Sequence, residues 1–117
     1  MEKFAESNPK NRRRSPRRKP RSSVKVECRK GSHGLGLNVA TSVLDLSDTG
    51  VRLVVSQELA LLSEVEIMIA GYGMQRALKR LAFVRWQLKL ENGGYCTGVE
   101  FQKSLVYRDW QNLASPN

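Results

Sequence analysis

Two segments of this 117-residue chain carry side chains whose type and spacing suit specific chemistry. The first holds Arg12, Arg13, Arg14, Arg17, Arg18 and Arg21, with Lys19 as the one ammonium among them. A guanidinium is a planar fork of donors that grips phosphate or a guanine edge in pairs and stacks on a base, whereas lysine serves for simple charge steering. The second is Asp45-Leu46-Ser47-Asp48-Thr49-Gly50. Asp45 and Ser47 stand two residues apart, so on a strand they emerge on one face while Leu46 points into the core. A carboxylate there accepts from the N1 and N2 donors of a guanine, and a serine hydroxyl donates to phosphate or ribose. Gly50 admits positive φ and lets backbone approach a ligand closely. The same hexapeptide is also simply a good turn, because Ser and Asp side chains bond nearby backbone.

The chain's charge is concentrated around the first segment. Residues 1–30 hold twelve Lys/Arg against three Asp/Glu, and residues 31–117 hold eight of each. The whole surplus of +9 therefore belongs to an N-terminal arm, built to meet an anion. A run of like charge is otherwise a solvated tail or a general tether to nucleic acid or a membrane surface.

Other chemistry finds little support. His33 is the single histidine and sits in a Gly-rich loop with no orienting partner nearby, so a Ser/His/Asp arrangement is not expected. Gly34-Leu35-Gly36 lacks the Lys and Ser/Thr of a P-loop and reads as a hairpin tip. Cys28 and Cys96 are too far apart and too poor in histidine company for a zinc site or a disulfide framework, and are expected as reduced, partly buried thiols. No catalytic residue, metal or cofactor is expected. No stretch has the length of a membrane span and Met1 to Asn11 lack the apolar run of a secretory signal, so a cytoplasmic protein is expected.

The elements that must position these groups are short and β-like. Val24, Val26 and Cys28 alternate with polar residues, and Leu37 to Leu46 forms a second candidate with apolar residues on both faces, which predicts a central strand. Val51, Leu53 and Val55 follow the turn as the second arm of an antiparallel hairpin. Val65, Ile67 and Ile69 make a fourth strand. Arg76 to Lys89 make the longest, with Leu78, Ala82, Val84, Trp86 and Leu88 on one period-two series, and Tyr95 to Phe101 the last. Six strands without crossover helices predict an antiparallel all-β domain, and closure into a barrel removes its edges. Val106, Trp110 and Leu113 fall on one face of a short C-terminal helix with Ser104 as its N-cap. Both tryptophans are expected in the core. One domain is expected: residues 1–22 a flexible basic arm, residues 23–114 the barrel with its helix.

The arginines and the hexapeptide together resemble the PilZ domain family, the bacterial receptor module for cyclic di-GMP. That family is marked by R-x-x-x-R in a lead-in segment, by [D/N]-x-S-x-x-G roughly two dozen residues on, and often by a G-V-x-F strand near the end. Here these stand as Arg17-Arg18-Lys19-Pro20-Arg21, Asp45 to Gly50, and Gly98-Val99-Glu100-Phe101, and the likeness runs from about Arg13 to Leu113. It implies a six-stranded antiparallel β-barrel followed by a helix. It also implies an arm that wraps over the barrel, whose arginines grip the guanines and phosphates of an intercalated cyclic di-GMP dimer while the Asp/Ser/Gly motif holds another part. The implied ligand-binding residues are Arg13, Arg17, Arg18, Arg21, Asp45, Ser47 and Gly50, with ordering of the arm relaying the signal to a downstream protein partner.

The register of R-x-x-x-R stays open: Arg13 with Arg17, Arg14 with Arg18 and Arg17 with Arg21 all satisfy it. Arg21, three residues before Val24, favours the last pair, and Arg17 belongs to the first as well as the last. Two alternatives stand beside the receptor: a small β-barrel that binds RNA or DNA through its basic arm, and a PilZ-like adaptor that binds no nucleotide. The arm lacks the interleaved aromatics of single-strand binders, which argues against the first.

Overall fold

The structure of the protein, a computed structural model, describes residues 16–31, 33, 36–71 and 76–114. Six strands follow in chain order: β1 Lys25–Lys30, β2 Ala40–Leu46, β3 Gly50–Val55, β4 Glu64–Ala70, β5 Leu78–Lys89 and β6 Tyr95–Phe101. A single helix, α1, spans Tyr107–Leu113. The hydrogen-bonded order is β1-β4-β5-β6-β3-β2, every neighbouring pair antiparallel. This is the six-stranded, nearly closed antiparallel β-barrel with a C-terminal helix that the sequence implies.

Alternation explains the interior. Val51, Leu53 and Val55 of β3, Val65, Ile67 and Ile69 of β4, and Ala82 and Val84 of β5 are fully buried. Residues between them, such as Arg52, face out. Removing these side chains from water at roughly 25 cal/mol per Å² is the main favourable term holding the strands together.

Closure is achieved where the two terminal strands meet. The backbone N–H of Val39 donates to the Cys28 carbonyl at 2.8 Å. The side-chain oxygen of Asn38 accepts from both Cys28 N–H, at 2.9 Å, and Ala40 N–H, at 3.0 Å. An amide side chain thus stands in for a ladder and covers edges that would otherwise be open to pairing with another chain. β2 is therefore not central, as its apolar faces predict, but last in the order. The arm and helix cover its Leu46 end, while Leu44 stays exposed.

The arm meets the barrel at Leu46. Arg18 and Leu46 exchange backbone hydrogen bonds, 3.0 Å from Arg18 N–H and 2.8 Å from Leu46 N–H. Pro20 bridges to Ala114, and Arg21 N–H donates to the Leu113 carbonyl at 2.8 Å. Trp110 is buried by this arrangement, its indole N–H reaching the Leu46 carbonyl at 3.4 Å. The helix begins later than predicted: Val106 is its N-cap, no side chain caps it, and Val106 is exposed. Leu105, buried one residue earlier, takes the core position assigned to Val106. Ser104 does not cap, because it lies two positions before the N-cap, with Leu105 between them.

Trp86 also departs from expectation. A register shift between Val84 and Trp86 inserts an extra residue into β5, as a β-bulge does. The period flips there. Gln87 turns inward, donating to Thr97 Oγ1 at 2.9 Å and accepting from Leu59 N–H at 3.0 Å, while Trp86 and Leu88 are exposed on the outer face.

Both cysteines are free thiols, Cys28 buried and Cys96 half-buried. Burial pushes the Cys28 thiol up from 9.0 to about 11. A folded value above the unfolded one gives stability that is complete below pH 9 and lost as pH rises through about 11. In urea unfolding, Cys28→Ala should be less stable than the parent at pH 7.5, and the gap should narrow by up to about 3 kcal/mol at alkaline pH. A gap independent of pH would show that the thiol does not titrate in that window.

Candidate functional site

One cross-strand row on the outside of the barrel gathers the polar groups. Trp86 of β5 lies opposite Gly98 of β6, Gly98 opposite Arg52 of β3, and Arg52 opposite Asp45 of β2. Across four neighbouring strands the row reads indole, glycine, guanidinium, carboxylate. At its Asp45 end the arm adds a second guanidinium.

Asp45 is not the open carboxylate that its sequence position suggests. It lies beside a register shift between Val43 and Asp45, and is buried with its neighbours Leu46 and Ser47. Burying a carboxylate is costly unless it is paired and fully hydrogen-bonded. Arg17 Nη1 donates to Oδ1 at 2.9 Å. Arg52 Nε donates to Oδ2 at 2.6 Å, and Arg52 Nη2 donates to the same oxygen. The hydrogen bond to Asp45 raises the affinity of Arg52 for its proton. The side chains of Arg17 and Arg52 remain 37% and 43% exposed, against 12% for Asp45, so the cations reach in from solvent.

The hairpin between β2 and β3 follows from its own hydrogen bonds. Ser47 N–H donates to the Gly50 carbonyl at 2.9 Å. The Ser47 hydroxyl accepts from Thr49 N–H at 3.2 Å and lies 3.1 Å from Thr49 Oγ1. Ser47 is thus turned into the hairpin and buried. Gly50 is required for a reason other than the one its sequence suggests. Among the described residues the positive-φ glycines are Gly31 and Gly93, whereas a Cβ on Gly50 would collide with the backbone oxygen of Val99. Close approach of two strands excludes a side chain there.

The arginines of the arm face different ways. Arg17 reaches the row. Arg18 lies over Trp110, its guanidinium carbon 4.9 Å from the ring centroid, a cation–π geometry. Arg21 Nη2 points at the Gln111 carbonyl from 3.5 Å, long for a hydrogen bond. Arg13 lies outside the described residues.

Sequence reasoning missed Arg52, Arg85, Trp86, Gly98 and Glu100. Arg17, Thr49, Arg85, Trp86, Gly98, Val99 and Glu100 line a shallow groove of about 240 Å³ beside the row. Arg85 Nε stands 3.2 Å from Glu100 Oε1 on its rim. The indole of Trp86 lies across Gly98, where any Cβ would strike the ring. Arg52 was within reach of simple counting: a turn at Ser47 to Gly50 that pairs Leu46 with Val51 also pairs Asp45 with Arg52. A bigger groove, about 740 Å³, lies at the other end of the barrel between Glu58, Leu61, Gln87, Lys89 and Tyr95. It contains no arginine, so the arginine chemistry belongs to the smaller one. Among the described residues no cluster of His, Cys, Asp or Glu is arranged to hold a metal, and no helix is long and apolar enough to cross a membrane.

The two glycines should respond differently to alanine. In Gly50→Ala the added methyl meets backbone, which cannot rotate away, and the fold should lose about 1–3 kcal/mol in chemical denaturation. In Gly98→Ala it meets a side chain. That variant should keep its melting temperature more nearly while the Trp86 fluorescence changes; equal losses of stability would show that the indole cannot move.

Comparison with known proteins agrees with this architecture. No curated protein matches the chain. Among solved structures it is similar to the K. pneumonia MrkH–c-di-GMP complex, with a TM-score of 0.57 and 20% identity. The match covers 84% of this chain and 47% of that one, so this chain spans about half of MrkH's length, and at that identity the likeness is one of fold. The PilZ domain, a non-catalytic adaptor module, matches residues 11–113, taking in the arginines, the hexapeptide, all six strands and the helix. The chain is therefore a member of the PilZ domain family.

Proposed function

We propose that this protein is a cyclic di-GMP receptor and adaptor without enzymatic activity, whose arm and outer barrel face together clamp the dinucleotide. The observation that carries this reading is the convergence of Arg17 from the arm with the row Asp45, Arg52, Gly98 and Trp86. Each part matches a part of the ligand. Guanidiniums suit phosphate oxygens and guanine edges, a carboxylate suits the guanine N1 and N2 donors, and a half-exposed indole over a glycine offers a flat apolar surface to a purine. The solved relative in complex with c-di-GMP supports the same ligand.

The dimensions of the groove favour an arm that covers the ligand. At about 240 Å³ it is smaller than the ~300–1,000 Å³ of enclosed small-molecule pockets, so a dinucleotide lies on this face and needs a second surface above it. Arg18 and Arg21 already follow the barrel through backbone bonds, and Arg13 stands four residues before Arg17 in the sequence. Charge-assisted hydrogen bonds contribute about 1.5–3 kcal/mol each, so several offset the ordering of such an arm. Ordering the arm over the ligand is then the change that a downstream protein partner reads. Ser47 and Gly50 serve by shaping the hairpin that presents Asp45.

Calorimetric titration tests the reading, with GTP and a short single-stranded RNA as competitors at two salt concentrations. The full-length chain should bind cyclic di-GMP selectively and with little salt dependence. Arg17→Ala and Asp45→Asn should each weaken binding about tenfold or more. Binding to RNA alone, falling steeply with salt and indifferent to Asp45, would replace the receptor with a nucleic-acid-binding barrel.

A further inference from the structure

The carboxylate of Asp45 is divided between two arginines that are not equivalent. Arg52 sits in the middle of β3, which is paired on both sides, with β2 and with β6. Its fork places two donors, Nε and Nη2, on the single oxygen Oδ2. Among the described residues Arg17 precedes the first backbone bond between arm and barrel, at Arg18, and it places one donor on Oδ1. The first contact is fixed by the sheet. The second depends on a segment held to the barrel through a few bonds at Arg18, Pro20 and Arg21.

This asymmetry has a chemical consequence. A carboxylate oxygen accepts about two hydrogen bonds, so two donors from Arg52 saturate Oδ2 and leave Oδ1 as the oxygen open to exchange. Arg17 occupies that oxygen. A guanine edge that brings N1–H and N2–H together onto Oδ1 fills both of its acceptor positions and so displaces Arg17, whose guanidinium is then released toward a phosphate. Asp45 keeps a partner on both oxygens throughout, so the buried carboxylate is never left uncompensated.

We propose that Arg52 is the positioning residue of this site, holding Oδ2 of Asp45 so that Oδ1, bonded to Arg17, is the oxygen a guanine takes over. The proposal rests on the cyclic di-GMP reading and adds to it the residue that sets base selectivity and the contact that the ligand must displace. Adenine has an acceptor at N1 where guanine has a donor, so a correctly aimed Oδ1 discriminates between the two bases. Lysine at position 52 keeps the charge and loses the fork.

The test compares the full-length parent with Arg52→Lys and Arg52→Gln, using cyclic di-GMP and cyclic di-AMP as probes. Arg52→Lys, which keeps a cation beside the carboxylate, should keep the parent's melting temperature to within a few degrees, and Arg52→Gln should lower it. Affinity for cyclic di-GMP should fall about tenfold or more and affinity for cyclic di-AMP much less, so that selectivity collapses. Parent-like selectivity in Arg52→Lys, or an equal loss for both ligands, would overturn the proposal, since charge or general stability would then suffice. Arginine side-chain NMR of the ligand-free chain gives a readout that needs no ligand. The Arg52 Nε–H should exchange slowly in the parent and in Arg17→Ala, and quickly in Asp45→Asn; fast exchange in the parent, or protection lost with Arg17, would also overturn it. If the parent fails to bind cyclic di-GMP, the receptor reading falls by itself, and the exchange rates still decide whether Arg52 holds Asp45 independently of the arm.

Discussion

The peptide of Leu46 joins three parts of the chain, and the site depends on it. Its N–H and carbonyl pair with Arg18 of the arm, and its carbonyl also receives the indole N–H of Trp110. Its side chain is fully buried beneath them. A terminal strand normally leaves such groups to water or to a second chain. Here the strand edge recruits the arm on one side and the helix on the other. Because Arg18 pairs with Leu46 in antiparallel register, Arg17 falls opposite Ser47, and its side chain reaches diagonally to Asp45.

The electrostatics follow from that geometry. A carboxylate buried at the end of β2 would be destabilising alone, and its two guanidiniums come from elements far apart in sequence, β3 and the arm. Surface ion pairs between exposed side chains contribute little. This one has a largely buried acceptor and partly exposed donors, so its worth lies in direction more than in net stability. The barrel beyond residue 30 is balanced in charge, which leaves the arm's surplus undiluted at the face it crosses.

Much of this was legible in the sequence, for identifiable reasons. Strands such as Val51 to Val55 and Val65 to Ile69 announce themselves because each packs one face against the core, and strict alternation records that directly. The Ser47 to Gly50 turn was legible from composition, although Gly50 turned out to be constrained by Val99 and not by its own torsion. What stayed hidden is what depends on neighbours. The terminal place of β2 could not be read, because its second face carries apolar residues although Leu44 there stays exposed, so residue type did not report the missing neighbour. Trp86 was assigned to the core because the period was carried unbroken through a bulge that no residue type announces. Arg52 was overlooked as one more outward-facing charge, although hairpin pairing alone puts it beside Asp45.

The bulge also restricts how this chain can change in length. Upstream of it the even-numbered positions of β5 face the interior, and downstream the odd-numbered Gln87 does. A one-residue deletion at Arg85 would remove the extra residue and restore plain alternation with Val84 inward, Trp86 outward and Gln87 inward, so every side chain downstream would keep its face and Gln87 its bonds to Leu59 and Thr97. Away from the bulge the same loss would turn part of the strand over. Among relatives built on this barrel, a difference of one residue in the length of this strand should therefore fall at the bulge.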